Sequence, residues 1–121
     1  MGAVEHFRCL DAATGKLFWN RDPAADFKVR RPTWGVAALT DKPSYSAPIC
    51  IDQAGRRVVV CWTGTRVVGL DAQSGELYWE HKVGFQRWVI GIATPVWYKD
   101  RVFLSAVDKG SLMLRLLPDD P

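Results

Sequence analysis

The feature that most restricts the fold is a ten-residue stretch that occurs twice. Leu10-Asp11-Ala12-Ala13-Thr14-Gly15-Lys16-Leu17-Phe18-Trp19 returns sixty residues later as Leu70-Asp71-Ala72-Gln73-Ser74-Gly75-Glu76-Leu77-Tyr78-Trp79. Six of the ten positions are identical, and Thr14/Ser74 and Phe18/Tyr78 are close substitutes. A chain with such a repeat is built from copies of one supersecondary unit, each of which buries its face against the next.

Each copy has the chemistry of a tight turn between two strands. Asp11 and Asp71 can accept a hydrogen bond from the backbone N–H two residues on, and Gly15 and Gly75 can take the positive φ that closes a bulged hairpin. Beyond each glycine, Leu17 and Trp19, like Leu77 and Trp79, lie two apart, which predicts one shared face of the outgoing strand. A large aromatic at a fixed distance past a fixed turn is a packing device, and one per repeat predicts sheets docked side by side.

The runs Cys9 to Trp19 and Gly69 to Trp79 fit a small-x-Asp-x-x-[Thr/Ser]-Gly-x-x-x-Trp pattern, and so the chain resembles the pyrroloquinoline-quinone-like (PQQ-like) β-propeller repeat family. Cys9 and, more mildly, Gly69 depart from the alanine usual at the first position. The resemblance implies an all-β fold of antiparallel four-stranded blades, in which the Trp of one blade docks onto the turn of its neighbour. It makes Asp11, Gly15, Trp19, Asp71, Gly75 and Trp79 the structural repeat motif. It further implies a bacterial protein, exported or periplasmic.

Taken in order, residues 1–20 read as the last two strands of one blade. Residues 21–43, broken by Pro23, Pro32 and Pro43, form a long inter-blade loop with Phe27, Val29, Trp34 and Val36 as apolar anchors. Residues 44–82 make one complete blade, with strands from Tyr45 to Ile51, Arg57 to Thr63, Arg66 to Asp71 and Glu76 to Lys82. Its turns are Asp52-Gln53-Ala54-Gly55, Gly64-Thr65 and the repeat itself. The Arg57 strand is β-branched and nearly all apolar, as a strand buried on both faces should be. Residues 83–91 are a linker carrying Phe85 and Trp88. Residues 92–117 supply three strands of a further blade, with Lys99-Asp100 as a two-residue turn, and 118–121 a tail. Half a blade, one blade and three strands do not close a ring of four to eight blades. The expected partners are therefore the remaining blades of a longer propeller or, as the second choice, copies of the same chain.

Composition removes other classes. The 121 residues carry a net charge of +3, with Arg30-Arg31 and Arg56-Arg57 as the basic pairs. No aromatic interleaving makes a nucleic-acid track of them. No apolar run approaches the ~20 residues of a membrane helix, and Met1 to His6 lacks the regions of a secretory signal. Cys9, Cys50 and Cys61 are neither a disulfide framework nor a metal cluster. Cys50 and Cys61 fall on adjacent strands and would be neighbours if the register allows.

The quinone-dependent dehydrogenases of the same family imply a disc-like cofactor between an aromatic floor and, in many members, a disulfide of adjacent cysteines, with a calcium ion and an Asp base. This chain has no adjacent cysteine pair. Trp34, Trp62, Trp88 and Trp97 are floor candidates, better read as packing. Asp52, Asp71, Asp100 and Asp108 are expected in turns, where backbone capping accounts for them without the six to eight oxygens of a calcium site. His6 and His81 stand without a nucleophile-elbow motif. The expectation is a non-catalytic propeller scaffold without a cofactor of its own, presenting loops for protein or ligand binding; PQQ and calcium enter only in the alternative, a piece of a quinoprotein dehydrogenase whose ligands lie elsewhere. The candidate binding loops are Arg30, Arg31 and Trp34 in the long loop and Arg87 and Trp88 in the linker, since Trp and Arg are favoured at hot spots.

Overall fold

A computed structural model describes residues 7–21, 46–63, 66–83, 93–106 and 110–119. These form nine strands: β1 Phe7–Leu10, β2 Leu17–Arg21, β3 Ile49–Gln53, β4 Arg56–Trp62, β5 Arg66–Asp71, β6 Leu77–Lys82, β7 Val96–Tyr98, β8 Arg101–Ala106 and β9 Gly110–Arg115. They pair as three antiparallel meanders, β1-β2, β3-β4-β5-β6 and β7-β8-β9. The described chain is thus all-β, with the strands of each sheet in sequence order.

Residue type explains most strand limits. β3 starts one residue after Pro48, which has no N–H to give a ladder. Asp52 and Gln53 belong to β3, paired with Arg57 and Arg56, so the expected four-residue turn shrinks to Ala54-Gly55. Both of these sit at positive φ, 49° and 71°, which is the geometry of a two-residue hairpin loop. Asp52 therefore caps no turn; its carboxylate receives Arg57 Nη1 at 3.1 Å across the strand pair. Arg21 closes β2 instead of opening the long loop. Val83, first residue of the expected linker, is buried in the core; Gly64-Thr65, the remainder of the long loop, residues 84–91 and Asp108 lie outside the described residues.

The alternation of β4 decides how the sheets stack. Val58, Val60 and Trp62 point one way and, with Ile51 and Val67, join Val102, Leu104, Ala106 and Leu116 in a core between the second and third sheets. Cys61, Val68 and Leu70 point the other way and are covered by Phe7, Trp19 and Val59 at the junction of the first two sheets. The middle sheet is buried on both faces, which is why its central strands carry so little polarity.

One expectation about faces is overturned. In the second repeat Gly69 pairs with Trp79 but Leu70 pairs with Leu77, leaving Tyr78 as an extra residue; the first repeat does the same at Phe18. This is a β-bulge, and one extra residue reverses the side to which the rest of the strand points. Leu77 and Trp79 consequently face opposite ways although they are two apart. Trp79 goes with the core between sheets two and three.

Candidate functional site

The duplicated turns match in the bonds their aspartates and glycines make. Asp11 Oδ1 accepts from the Ala13 N–H at 3.0 Å, the Thr14 N–H at 2.7 Å and the Thr14 hydroxyl at 2.8 Å. Asp71 Oδ1 accepts from the Gln73 N–H at 2.9 Å, the Ser74 N–H at 2.6 Å and the Ser74 hydroxyl at 3.0 Å. The N–H of Gly15 donates to Asp11 O at 2.8 Å and that of Gly75 to Asp71 O at 2.9 Å. The two glycines have φ of 71° and 73°, values that a side chain adopts only under strain. An acceptor with three short donors stabilises its ionised form. The Tyr78 hydroxyl, first, and then the Ser74 N–H hold the Asp71 carboxyl at about 2, and the Thr14 hydroxyl and N–H lower Asp11.

The second turn carries a neighbour. Trp19, reaching across from the first sheet, lies against Gly75 so closely that a Cβ there would sit 2.7 Å from its Cδ2 and Cε3. Its indole N–H donates to Ala72 O at 3.0 Å, and Arg21 Nε donates to Gly75 O at 2.5 Å. Tryptophan and arginine, two apart on β2, thus grip two carbonyls of one turn. Trp79 has a different arrangement: it covers Gly69, and its N–H donates to Gln53 Oε1 at 3.1 Å while Gln53 Nε2 donates to Leu117 O at 3.5 Å. Gln53, only 6% exposed, is the bridge from the second Trp to the third sheet.

Beside the second turn an open depression of about 490 Å³ is lined by Gly55, Arg56, Arg57, Asp71, Ala72 and Gln73. Its cations are engaged. Arg56 Nη1 donates to the Tyr78 hydroxyl at 2.9 Å, with the guanidinium 5.6 Å from that ring's centre, Tyr78 donates to Asp71 Oδ2, and Arg57 pairs with Asp52. Asp100 pairs with Arg115 at 3.0 Å.

Other candidates fall as follows. Trp62 is packed inside the core between the second and third sheets, away from any floor, while Trp97 stands partly exposed on β7. Cys50 pairs with Val59 in the β3–β4 register, so Cys61 is its diagonal neighbour on the same face. Burial pushes the Cys61 thiol up to about 12, while Cys50 is exposed. Among the described residues no three His, Cys, Asp or Glu side chains gather as a metal site, and no helix is long and apolar enough to cross a membrane. His6, Arg30, Arg31, Trp34, Arg87 and Trp88 lie outside the described residues. The bonding roles of Arg21, Gln53, Arg56 and Tyr78 escape the sequence reading. For Arg21 alone there was a local cue, its spacing of two from Trp19.

A search among curated proteins finds no match to the chain. A family model, that of the outer membrane protein assembly factor BamB, matches residues 4–116, and the described sheets are antiparallel meanders of the kind that make propeller blades. Over nearly its whole length the chain therefore belongs to the PQQ-like repeat family of the outer membrane protein assembly factor BamB.

Proposed function

We propose that this chain is a non-catalytic propeller module, a scaffold whose sheets hold their connecting loops in place for binding a protein or a ligand. The observation that supports it most is the commitment of the repeat motif to assembly. Asp71 and Ser74 shape the turn, and Trp19 and Arg21 hold that turn against the neighbouring sheet. The motif's polar chemistry is directed at backbone, and the module's partners are further blades and other proteins. Arg30, Arg31, Trp34, Arg87 and Trp88 are the proposed binding positions, as exposed Trp and Arg supply the largest contact energies. The family description supports a bacterial, periplasmic or exported setting.

Titration with pyrroloquinoline quinone and calcium, followed by tryptophan emission and by a dye-linked alcohol and sugar oxidation assay, tests this reading. Unchanged emission and no turnover are expected. Saturable quenching accompanied by dye reduction would replace the scaffold with a quinoprotein dehydrogenase.

A further inference from the structure

Cys50 and Cys61 are eleven positions apart in sequence, a spacing that signals no ligand pair. The hairpin of β3 and β4 brings them together. Cys50 stands opposite Val59, so Cys61, two residues on from that valine, is its diagonal neighbour, and both side chains leave the same face of the second sheet. Burial chiefly raises the Cys61 thiol, and Cys50 is near enough to raise it further. Both sulfurs belong to one strand pair, so the arrangement is complete within the second sheet and needs no residue of a neighbouring one.

Spacing decides what two such thiols can do. Diagonal neighbours in an antiparallel pair have Cα atoms about 7–8 Å apart, whereas a disulfide holds its Cα atoms about 4.4–6.8 Å apart. A direct sulfur–sulfur bond is therefore too short for this position unless the ladder moves. An ion between the sulfurs replaces that one bond of about 2 Å by two metal–sulfur bonds of about 2.3 Å each, which restores the reach. Ligand number then selects the ion. A structural zinc takes four ligands, and among the described residues no group of three His, Cys, Asp or Glu side chains forms around the pair. The residues opposite the two cysteines are Val59 and Val68, both apolar. Two thiolates in apolar surroundings suit a soft monovalent ion.

We propose that Cys50 and Cys61 form a two-thiolate site for copper(I) on the face of the second sheet that meets the first. Each thiol releases its proton on binding, and copper forms one bond to each sulfur without a change of oxidation state. Two thiolates and one monovalent cation leave the site with a single negative charge.

The test uses the whole chain, reduced and kept under argon, dialysed against copper(I) buffered by the chelator bicinchoninate, with retained metal measured by atomic absorption. One copper per chain is expected, with two sulfur neighbours in the X-ray absorption spectrum at the copper edge. Cys50→Ser alters an exposed side chain, so a folding defect does not imitate the result. It should weaken binding by more than the roughly 10–100-fold that a change outside the ligands themselves costs. Cys9→Ser should leave binding unchanged, and zinc offered at the same concentration should not be retained. Failure of the native chain to hold copper against the chelator overturns the proposal. So do undiminished retention in Cys50→Ser, loss of copper in Cys9→Ser, or equal retention of zinc.

Discussion

Trp19 and Gly75, fifty-six positions apart, meet where the first two sheets join: the ring occupies the space a Cβ would need. Two penalties therefore meet in Gly75→Ala, the left-handed backbone at about 1–2 kcal/mol and a steric overlap of about 1–3 kcal/mol. Gly15→Ala suffers the first alone among the described residues, since its φ is 71° but none of their atoms lies within 4 Å of the new Cβ. Urea unfolding of both variants should show Gly75→Ala as the more destabilised. Equal losses would mean that Trp19 does not rest on the turn in solution.

The bridge through Gln53 gives a second test. Gln53→Leu keeps the volume but leaves the Trp79 N–H without its acceptor, at a cost of about 1–3 kcal/mol. Trp79→Ala removes the ring itself and should cost about 3–5 kcal/mol. A loss below about 1 kcal/mol in Trp79→Ala, far short of a packed aromatic, would show that the ring does not contribute to the junction.

Acid should loosen the second turn. The Asp71 carboxyl is held at about 2, chiefly by the Tyr78 hydroxyl, against an ordinary 3.8. A carboxyl lowered by folding contributes its full stability above its unfolded value and loses it as pH falls through the folded one. Stability should therefore decline from about pH 4 towards pH 2, and the slope there should be shallower in Tyr78→Phe, which lacks the leading donor. Identical slopes in chemical denaturation across that window would remove Asp71 as the responsible group.

Thiol chemistry should separate two neighbours. Cys61 is buried and its thiol is raised to about 12, whereas Cys50, on the same face of the sheet, is exposed. Only the thiolate reacts. Peptide mapping after brief iodoacetamide treatment of the native chain should find Cys50 modified and Cys61 untouched until urea is added.

How much of this was legible in the sequence depends on the range of each interaction. The bonds that Asp11 and Asp71 accept reach two and three residues, and the positive φ of the glycines is local, so residue type alone points to them. The strand Arg66–Asp71 falls where the sequence puts it. The bulge at Phe18 and Tyr78 was not legible, because spacing assumes a regular pleat and an aromatic fits equally well in a ladder or outside it. It sent Trp79 to the opposite face from Leu77. Asp52 looked like a turn former because it precedes Gln53-Ala54-Gly55, yet pairing with Arg57 keeps it in β3. Gln53 carried no signal at all, since its partners at 79 and 117 are far away in the chain.

The span between Trp19 and the Ala72 carbonyl, 53 residues, imposes an order of events on a chain that emerges from the ribosome amino end first. The Asp11–Gly15 hairpin can close at once, because its bonds are local. Its tryptophan must then wait, bare, until the second turn has been synthesised, several seconds later at about 5–20 residues per second. The second sheet thus covers the tryptophan that the first leaves bare.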